Sequence, residues 1–275
     1  MEKQVNRPKI KKGNILVYLV LILGSVLMIF PFIWMISTSF KTVPETTLIP
    51  PTLLPASFSN TAAYEQVTKS LPFFNLYFNT IMMIVIRVIC AVVFSSMAAY
   101  AFAKVNFPLK NLFFMIVLSQ LMFPAQVFIL PQYEMISALG KTDSLFALVF
   151  PALVSAFGTF FLRQTYMGIP DDLLEAARID GCGHFRSFIS IAFPLTKTAM
   201  AALFAYGDLM WPLIVNTKLD KLTLSSGLST LRGQFSVNYP NLMAGSVLAM
   251  IPMIIIYIIF QRQFIEGIAL TGTKA

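Results

Sequence analysis

From Ile15 to Ser37 the chain runs 23 residues without a charged side chain. A bilayer core of about 30 Å takes roughly 20 helical residues at about 1.5 Å each, so this stretch alone is long enough to cross. Leu76–Ala103 follows, interrupted only by Arg87, then Leu112–Leu130, Leu145–Leu162 and Leu242–Phe260. Thr198–Val215 is a sixth and weaker stretch that holds Gly207, Asp208 and Pro212. These runs are continuous rather than alternating, and backbone in lipid must satisfy itself, so helices are expected and strands are not. Hydrophobic residues make up 57% of the chain and charged residues 12%, about half the charged share of a soluble domain. That is too little charge to cover a water-exposed surface. The expected fold is an all-α polytopic membrane protein with six transmembrane helices.

Lys9, Lys11 and Lys12 precede the first span as they would a secretory signal. The apolar run is longer than a signal's, and no small-x-small cleavage site follows it, so it is read as a retained helix. Six spans put both termini on one side. With the N-terminus inside, the inner segments carry thirteen Lys and Arg residues and the outer segments six, with Arg87 left within a span. The positive-inside rule therefore sets both termini in the cytoplasm. The net charge of +8 is accounted for by this topology and by anionic lipid, and no basic, aromatic-interleaved patch points to nucleic acid.

Catalytic chemistry is nearly absent. His184 is the lone histidine, which excludes histidine relays and histidine-rich metal sites. Cys90 and Cys182 fall in a span and in an inner segment, which gives neither a disulfide framework nor a metal pair. Gly140-Lys141-Thr142 resembles the end of a phosphate loop, but Met135 stands where that loop needs Gly. The chain is not expected to be an enzyme or to bind a metal.

The longest inner segment, 163–197, is the most informative. Ile169–Gly181 reads IPDDLLEAARIDG. Asp172 followed three residues later by Glu175 is a capping-box pattern, and Asp171 and Asp172 suit a positive helix start. Gly181 fits a left-handed stop just past the helix. A second short helix is expected next, with Phe185, Phe188, Ile189 and Ala192 on one face and Pro194 closing it. Two short helices turned about Gly181 form a lever that another protein could grip.

Glu175-Ala176-Ala177, then Gly181, then Ile191-Ala192-Phe193-Pro194 resembles the EAA loop of ABC import permeases, with Phe193 where Leu is usual. FGTFFLRQTYMGIPDDLLEAARIDG, DLMWPLIV and the tail FIEGIALTGTKA extend the likeness to the carbohydrate-uptake, maltose-type subfamily, from about Leu76 to the C-terminus. The resemblance implies a type I ABC importer permease fold in the bacterial cytoplasmic membrane. It divides the chain into an N-terminal tail, first helix and outer loop (1–75), a transmembrane domain (76–262) and a C-terminal tail (263–275). It implies an extracytoplasmic binding protein that delivers a sugar, a second homologous permease subunit, and ATPase subunits that hold ATP and Mg²⁺. This chain would bind no cofactor itself. Glu175, Ala176, Ala177, Asp180, Gly181, Ile191 and Pro194 are the positions implied for ATPase coupling. Gly267 and Gly272 are implied as a tail contact with the ATPases, and Asp208 and Trp211 as lining of the path. The same machine carrying a non-sugar solute is an alternative. An ion-coupled secondary transporter is another, although it would call for mid-membrane carboxylates and broken helices in paired halves.

Arg87 should cost about 2.5–3.5 kcal/mol at mid-bilayer, and nine neighbouring Ile, Val and Phe residues at about −0.4 kcal/mol each offset it. It reads as a snorkelling or interior-paired structural residue. The fifth span is marginal with Asp208 inside, which puts that residue within the bundle. Between Pro194 and Asp208 stand only LTKTAMAALFAYG, about one and a half helical turns fewer than the family carries. The deficit would shorten the fifth helix and turn Asp208 and Trp211 to another face.

Overall fold

The computed structural model describes residues 13–196, 210–233 and 237–272. Their regular structure is helical, apart from one isolated antiparallel bridge between Arg232 and Val237. Two compact units emerge, Met1–Ser70 with Leu231–Ile251, and Leu71–Thr230 with Pro252–Ala275.

In the first unit, α1 (Gly13–Ser39) carries the first apolar run. Its side chains are exposed almost throughout, as with Leu16 and Met28, so lipid is the solvent that such a surface requires. The Pro-rich segment beyond it is ordered by polar contacts. Lys41 lies 4.6 Å over the Trp34 ring and donates to the Thr52 carbonyl. The short helix α2 (Val43–Thr46) is closed by a capping box in which Glu45 Oε2 accepts from the Thr42 backbone N–H at 2.6 Å. Glu45 Oε1 accepts from the Ala56 N–H at 2.8 Å, and these bonds hold its carboxyl below the ordinary value of 4.5. Asn60 donates to the Phe40 carbonyl at 3.1 Å, and α3 (Ala62–Ser70) places Tyr64 Oη 2.7 Å from Ser39 Oγ.

The second unit is built on α4 (Phe73–Lys104), an apolar helix of 32 residues. α1 and α4 are the two described helices long and apolar enough to cross a membrane singly. Two further apolar stretches, expected from the sequence as spans, are bent helix pairs rather than continuous rods. Lys110–Met122 and Ala125–Ala138, which contain α5 (Lys110–Ser119) and α6 (Ile129–Ala138), meet at a bend of 103°. Leu145–Ala152 and Ala156–Met167, which contain α7 (Leu145–Val149) and α8 (Ala156–Met167), meet at 45°. Proline is the cause in each. Pro124 lacks a donor and forces Phe123 into extended backbone (φ −95°, ψ 136°). Pro151 interrupts the second pair.

Helix α4 packs along α8, and its two ends sit in separate apolar clusters. Toward Phe73, Met83 and Ile84 join Ile136, Ala147, Leu148, Val149, Trp211 and Val215. Toward Lys104, Ala99 and Tyr100 join Leu162, Tyr166, Ile169, Leu174, Phe188 and Ala192. The helix Leu224–Ser229 lies so close to the first end that a Cβ on Gly227 would come within 2.6 Å of Leu76 Cδ1. Most of the expected fifth span, including Asp208, lies outside the described residues, and only Met210–Val215 of it is seen. The last helix, Tyr239–Gly272, contains the expected Leu242–Phe260 span and continues through most of what reads as a tail, Gly267 and Gly272 included.

Candidate functional site

At the Lys104 end of α4, the chain turns from α8 into α9 (Asp171–Ile179), the helix that carries Glu175-Ala176-Ala177. The Asp172–Glu175 capping box does not form. The helix begins two residues earlier, behind Pro170, which has no side-chain cap to offer. Asp171 takes another partner. Its Oδ1 accepts from Lys104 Nζ at 2.6 Å, while the same ammonium donates to the Ile169 carbonyl at 2.6 Å. The Lys104 hydrogen bond and charge hold the Asp171 carboxyl below its ordinary 3.8. Lys104 thus fastens the start of α9 to the end of α4, and its charge suits a helix C-terminus.

Gly181 ends α9 as the spacing predicts. It adopts φ +80°, its N–H donates to Arg178 O at 3.0 Å, and the Cys182 N–H donates to Ala177 O at 2.9 Å. That pair of bonds is a Schellman stop. Only the glycine accepts this conformation at no steric cost.

The second short helix departs from the expected single face. α10 (His184–Ser187) passes into one turn of π-helix, Phe188–Ala192, and then α11 (Phe193–Leu195). The extra residue in that turn rotates the side chains beyond it. Phe188 and Ala192 are buried, while Phe185 and Ile189 point outward at 64% and 50% exposure. Pro194 sits inside the final turn rather than closing the helix, which ends at Thr196.

The implied coupling residues therefore divide. Ala177 and its neighbour Leu174 are buried against the core, and Ile191 is half-buried against the same cluster. Glu175, Ala176, Asp180, Gly181 and Pro194 face outward. Leu173, Ile179 (86% exposed) and Phe185 add an apolar patch to the outward side, which sequence reasoning missed. The periodicity that could have found Ile179 was hidden by reading the helix for its buried stripe.

Sequence reasoning also missed the polar link beneath the loop. The Tyr166 hydroxyl of α8 shares a hydrogen bond with Ser96 of α4 and accepts from Thr196 Oγ1 at 3.3 Å. All three side chains are buried. The Tyr166 ring lies edge-on to Tyr100, centroids 5.8 Å apart. One hydroxyl thus joins α4, α8 and the end of the loop. Arg163 adds a second tie, donating to the Phe102 carbonyl at 3.2 Å and lying over the Phe114 ring at 4.2 Å.

Toward the other end of α4 lies a cavity of about 650 Å³, within the range of roughly 300–1,000 Å³ usual for small-molecule sites. Arg87 and Trp211 both line it, but each is anchored. Arg87 Nε donates to the Leu148 carbonyl at 2.8 Å, and Trp211 Nε1 to the Ala147 carbonyl at 2.8 Å. Arg87 is thus bonded within the protein, in keeping with an interior-paired residue. Among the described residues no cluster of His, Cys, Asp and Glu could hold a metal ion.

Residues 91–269 match the family model described as binding-protein-dependent transport system inner membrane component. The chain is 34% identical over 254 residues to the arabinooligosaccharides transport system permease protein AraQ of Halalkalibacterium halodurans, covering 90% of this chain and 91% of that one. It is 34% identical over 276 residues to the sn-glycerol-3-phosphate transport system permease protein UgpE of Shigella flexneri, covering 96% and 97%. Its fold is similar, with a TM-score of 0.77 at 22% identity, to a chain of a bacterial ABC transporter involved in the import of the acidic polysaccharide alginate, covering 93% of this chain and 99% of that one. The chain therefore belongs to the inner membrane permease components of binding-protein-dependent ABC transport systems.

Proposed function

We propose that this chain is one permease half of an ATP-driven sugar importer, with six spans and both termini in the cytoplasm. A second permease subunit completes the path, an extracytoplasmic binding protein delivers the sugar, and partner ATPase subunits hold ATP and Mg²⁺. The arabinooligosaccharides permease relative supports the sugar. The observation that carries the coupling role is the two-sidedness of α9. Leu174 and Ala177 are locked into the bundle, while Glu175, Ala176, Ile179 and Asp180 stand free for a partner.

Coupling then works as a rigid lever. An ATPase surface grips Ile179 and the small Ala176, and motion passes through Lys104–Asp171 and the Tyr166 hydroxyl to α4 and α8. Burying an exposed side chain the size of Ile179 is worth about 1.5–3 kcal/mol, enough to seat the contact. Gly267 and Gly272 in the last helix form the further tail contact, and Trp211 and Asp208 stand by the path. Uptake in whole cells tests the class. An ionophore that collapses the proton gradient without lowering ATP leaves uptake intact. Abolished uptake would favour ion coupling instead.

A further inference from the structure

Helix α5 starts at Lys110, on the connection that leaves the Lys104 end of α4. The Lys110 Nζ donates to the Val105 carbonyl at 2.9 Å. Phe114 follows one turn later on the same face of α5, and the Arg163 guanidinium of α8 rests on its ring at 4.2 Å. Arg163 Nε also donates to the Phe102 carbonyl at 3.2 Å. Both cations are therefore anchored at the end of α4, one at Phe102 and the other at Val105.

Two like charges are thus held side by side, each half-buried. Among the described residues neither is paired with a carboxylate. Burial, with the Arg163 charge added, holds the Lys110 ammonium below its ordinary 10.5. Crowding two cations without an acid is unfavourable, and an anion between them would reverse the sign of the interaction. Donors remain for it, because the carbonyl bonds engage only part of the ammonium and one edge of the guanidinium. Such donors match phosphate oxygens.

The neighbouring surface says which phosphate. Leu112, Phe113 and Ile116 are exposed just beyond Lys110 on α5. A soluble anion gains nothing from them, whereas an acyl chain covers them. With this connection in the cytoplasm, the two cations stand at the depth of the inner-leaflet headgroups, where anionic lipid is concentrated.

We propose that Lys110 and Arg163 form a binding site for the phosphodiester headgroup of an anionic phospholipid, whose acyl chain lies along α5. The site goes beyond the importer reading and takes from it only the cytoplasmic placement of this connection.

The test titrates the purified whole transporter with dioleoyl phosphatidylglycerol or dioleoyl phosphatidylcholine and reads bound lipid by native mass spectrometry. The parent should retain phosphatidylglycerol in preference to phosphatidylcholine. Lys110→Gln and Arg163→Gln should each raise the phosphatidylglycerol concentration at half-occupancy about fivefold, near the worth of one basic residue beside anionic headgroups. Lys110→Arg should keep the parent value. Should Arg163→Gln not assemble, Lys110→Gln decides, since it leaves the ring contact intact. Equal retention of the two lipids by the parent would overturn the inference, as would a half-occupancy unmoved by Lys110→Gln. Displacement of the lipid by an equal concentration of inorganic phosphate would overturn it in favour of a soluble anion. Loss of partner subunits from the Lys110→Gln complex would overturn it in favour of a partner's carboxylate. ATP-driven uptake without lipid preference would sink this inference alone, whereas retained lipid with uptake that needs no ATP would sink the importer reading alone.

Discussion

The Trp211 indole N–H donates at 2.8 Å to the carbonyl of Ala147, the group that Pro151, four residues on, leaves without a helical donor. One residue further, the Leu148 carbonyl accepts from Arg87. The bend in the second helix pair is thus repaired by side chains from two other helices, which lets a proline break keep its backbone satisfied away from water. Ser95 does the same at the far side of the break. It donates to the Ser155 carbonyl and accepts from the Ser155 N–H, each at 3.2 Å.

Replacing the indole removes that repair. Trp211→Phe keeps an aromatic ring in the apolar cluster but leaves the Ala147 carbonyl unpaired, at a cost of about 1–3 kcal/mol. A lowered midpoint of thermal unfolding for the purified complex is expected. An unchanged midpoint would show that the bond is dispensable.

The Lys104–Asp171 pair predicts a flat pH response. Lys104 holds the Asp171 carboxyl below 3.8, so its contribution is complete above that value and is lost only as pH falls through the lowered one. Uptake should therefore not vary on this account from about pH 5 to pH 8. Asp171→Asn should lower uptake per ATP hydrolysed across that whole range. A variant as well coupled as the parent would exclude the pair from force transmission.

Tyr166→Phe removes the hydroxyl that joins Ser96 and Thr196 while preserving the ring against Tyr100 and Phe188. Membrane insertion and ATPase docking should persist, and transport per ATP hydrolysed should fall several-fold. If uptake and hydrolysis fall in the same proportion, Tyr166 is a packing residue and no more.

The fifth span, expected from the sequence to be short, predicts a gain of function. An apolar insert of about six residues after Leu203, roughly one and a half turns, should raise uptake at matched membrane abundance. Full transport by the chain as it stands, abolished by the insert, would show that the family register does not hold here, and Asp208 would be dropped as a path residue.

Much of the fold can be read from the chain because lipid imposes one rule on every span. The apolar runs that contain Ile15–Ser37 and Leu76–Ala103 became the helices Gly13–Ser39 and Phe73–Lys104. The stop at Gly181 was readable because a left-handed turn needs that residue. The bends were not read, although Pro124 and Pro151 were visible, since a proline in a span can be absorbed by neighbours or can break it, and only packing decides. The face of the second loop helix was misjudged because periodicity assumes an α-helical turn, and the π-turn at Phe188–Ala192 shifts the register. The Tyr166 link was out of reach. Ser96 and Thr196 lie 70 and 30 residues from Tyr166 along the chain, and nothing local marks them as partners.

Coupling through the loop is the central claim, and Gly181 is where it can be tested with least disturbance elsewhere. A Cβ at Gly181 would meet no atom within 4 Å, so a substitution there acts through the backbone at φ +80° rather than by collision. Gly181→Val should cost about 1–2 kcal/mol of local conformational energy and turn the exposed side of α9 away from the ATPases. Gly181→Asn, which tolerates the left-handed turn, should recover much of the function. The decisive quantity is the amount of ATPase subunit that copurifies with each variant, together with its uptake at equal membrane abundance. Gly181→Val is expected to insert normally, retain little ATPase and transport poorly, with Gly181→Asn between it and the parent. A valine variant that holds its ATPases and transports at the parent rate would contradict coupling through the loop.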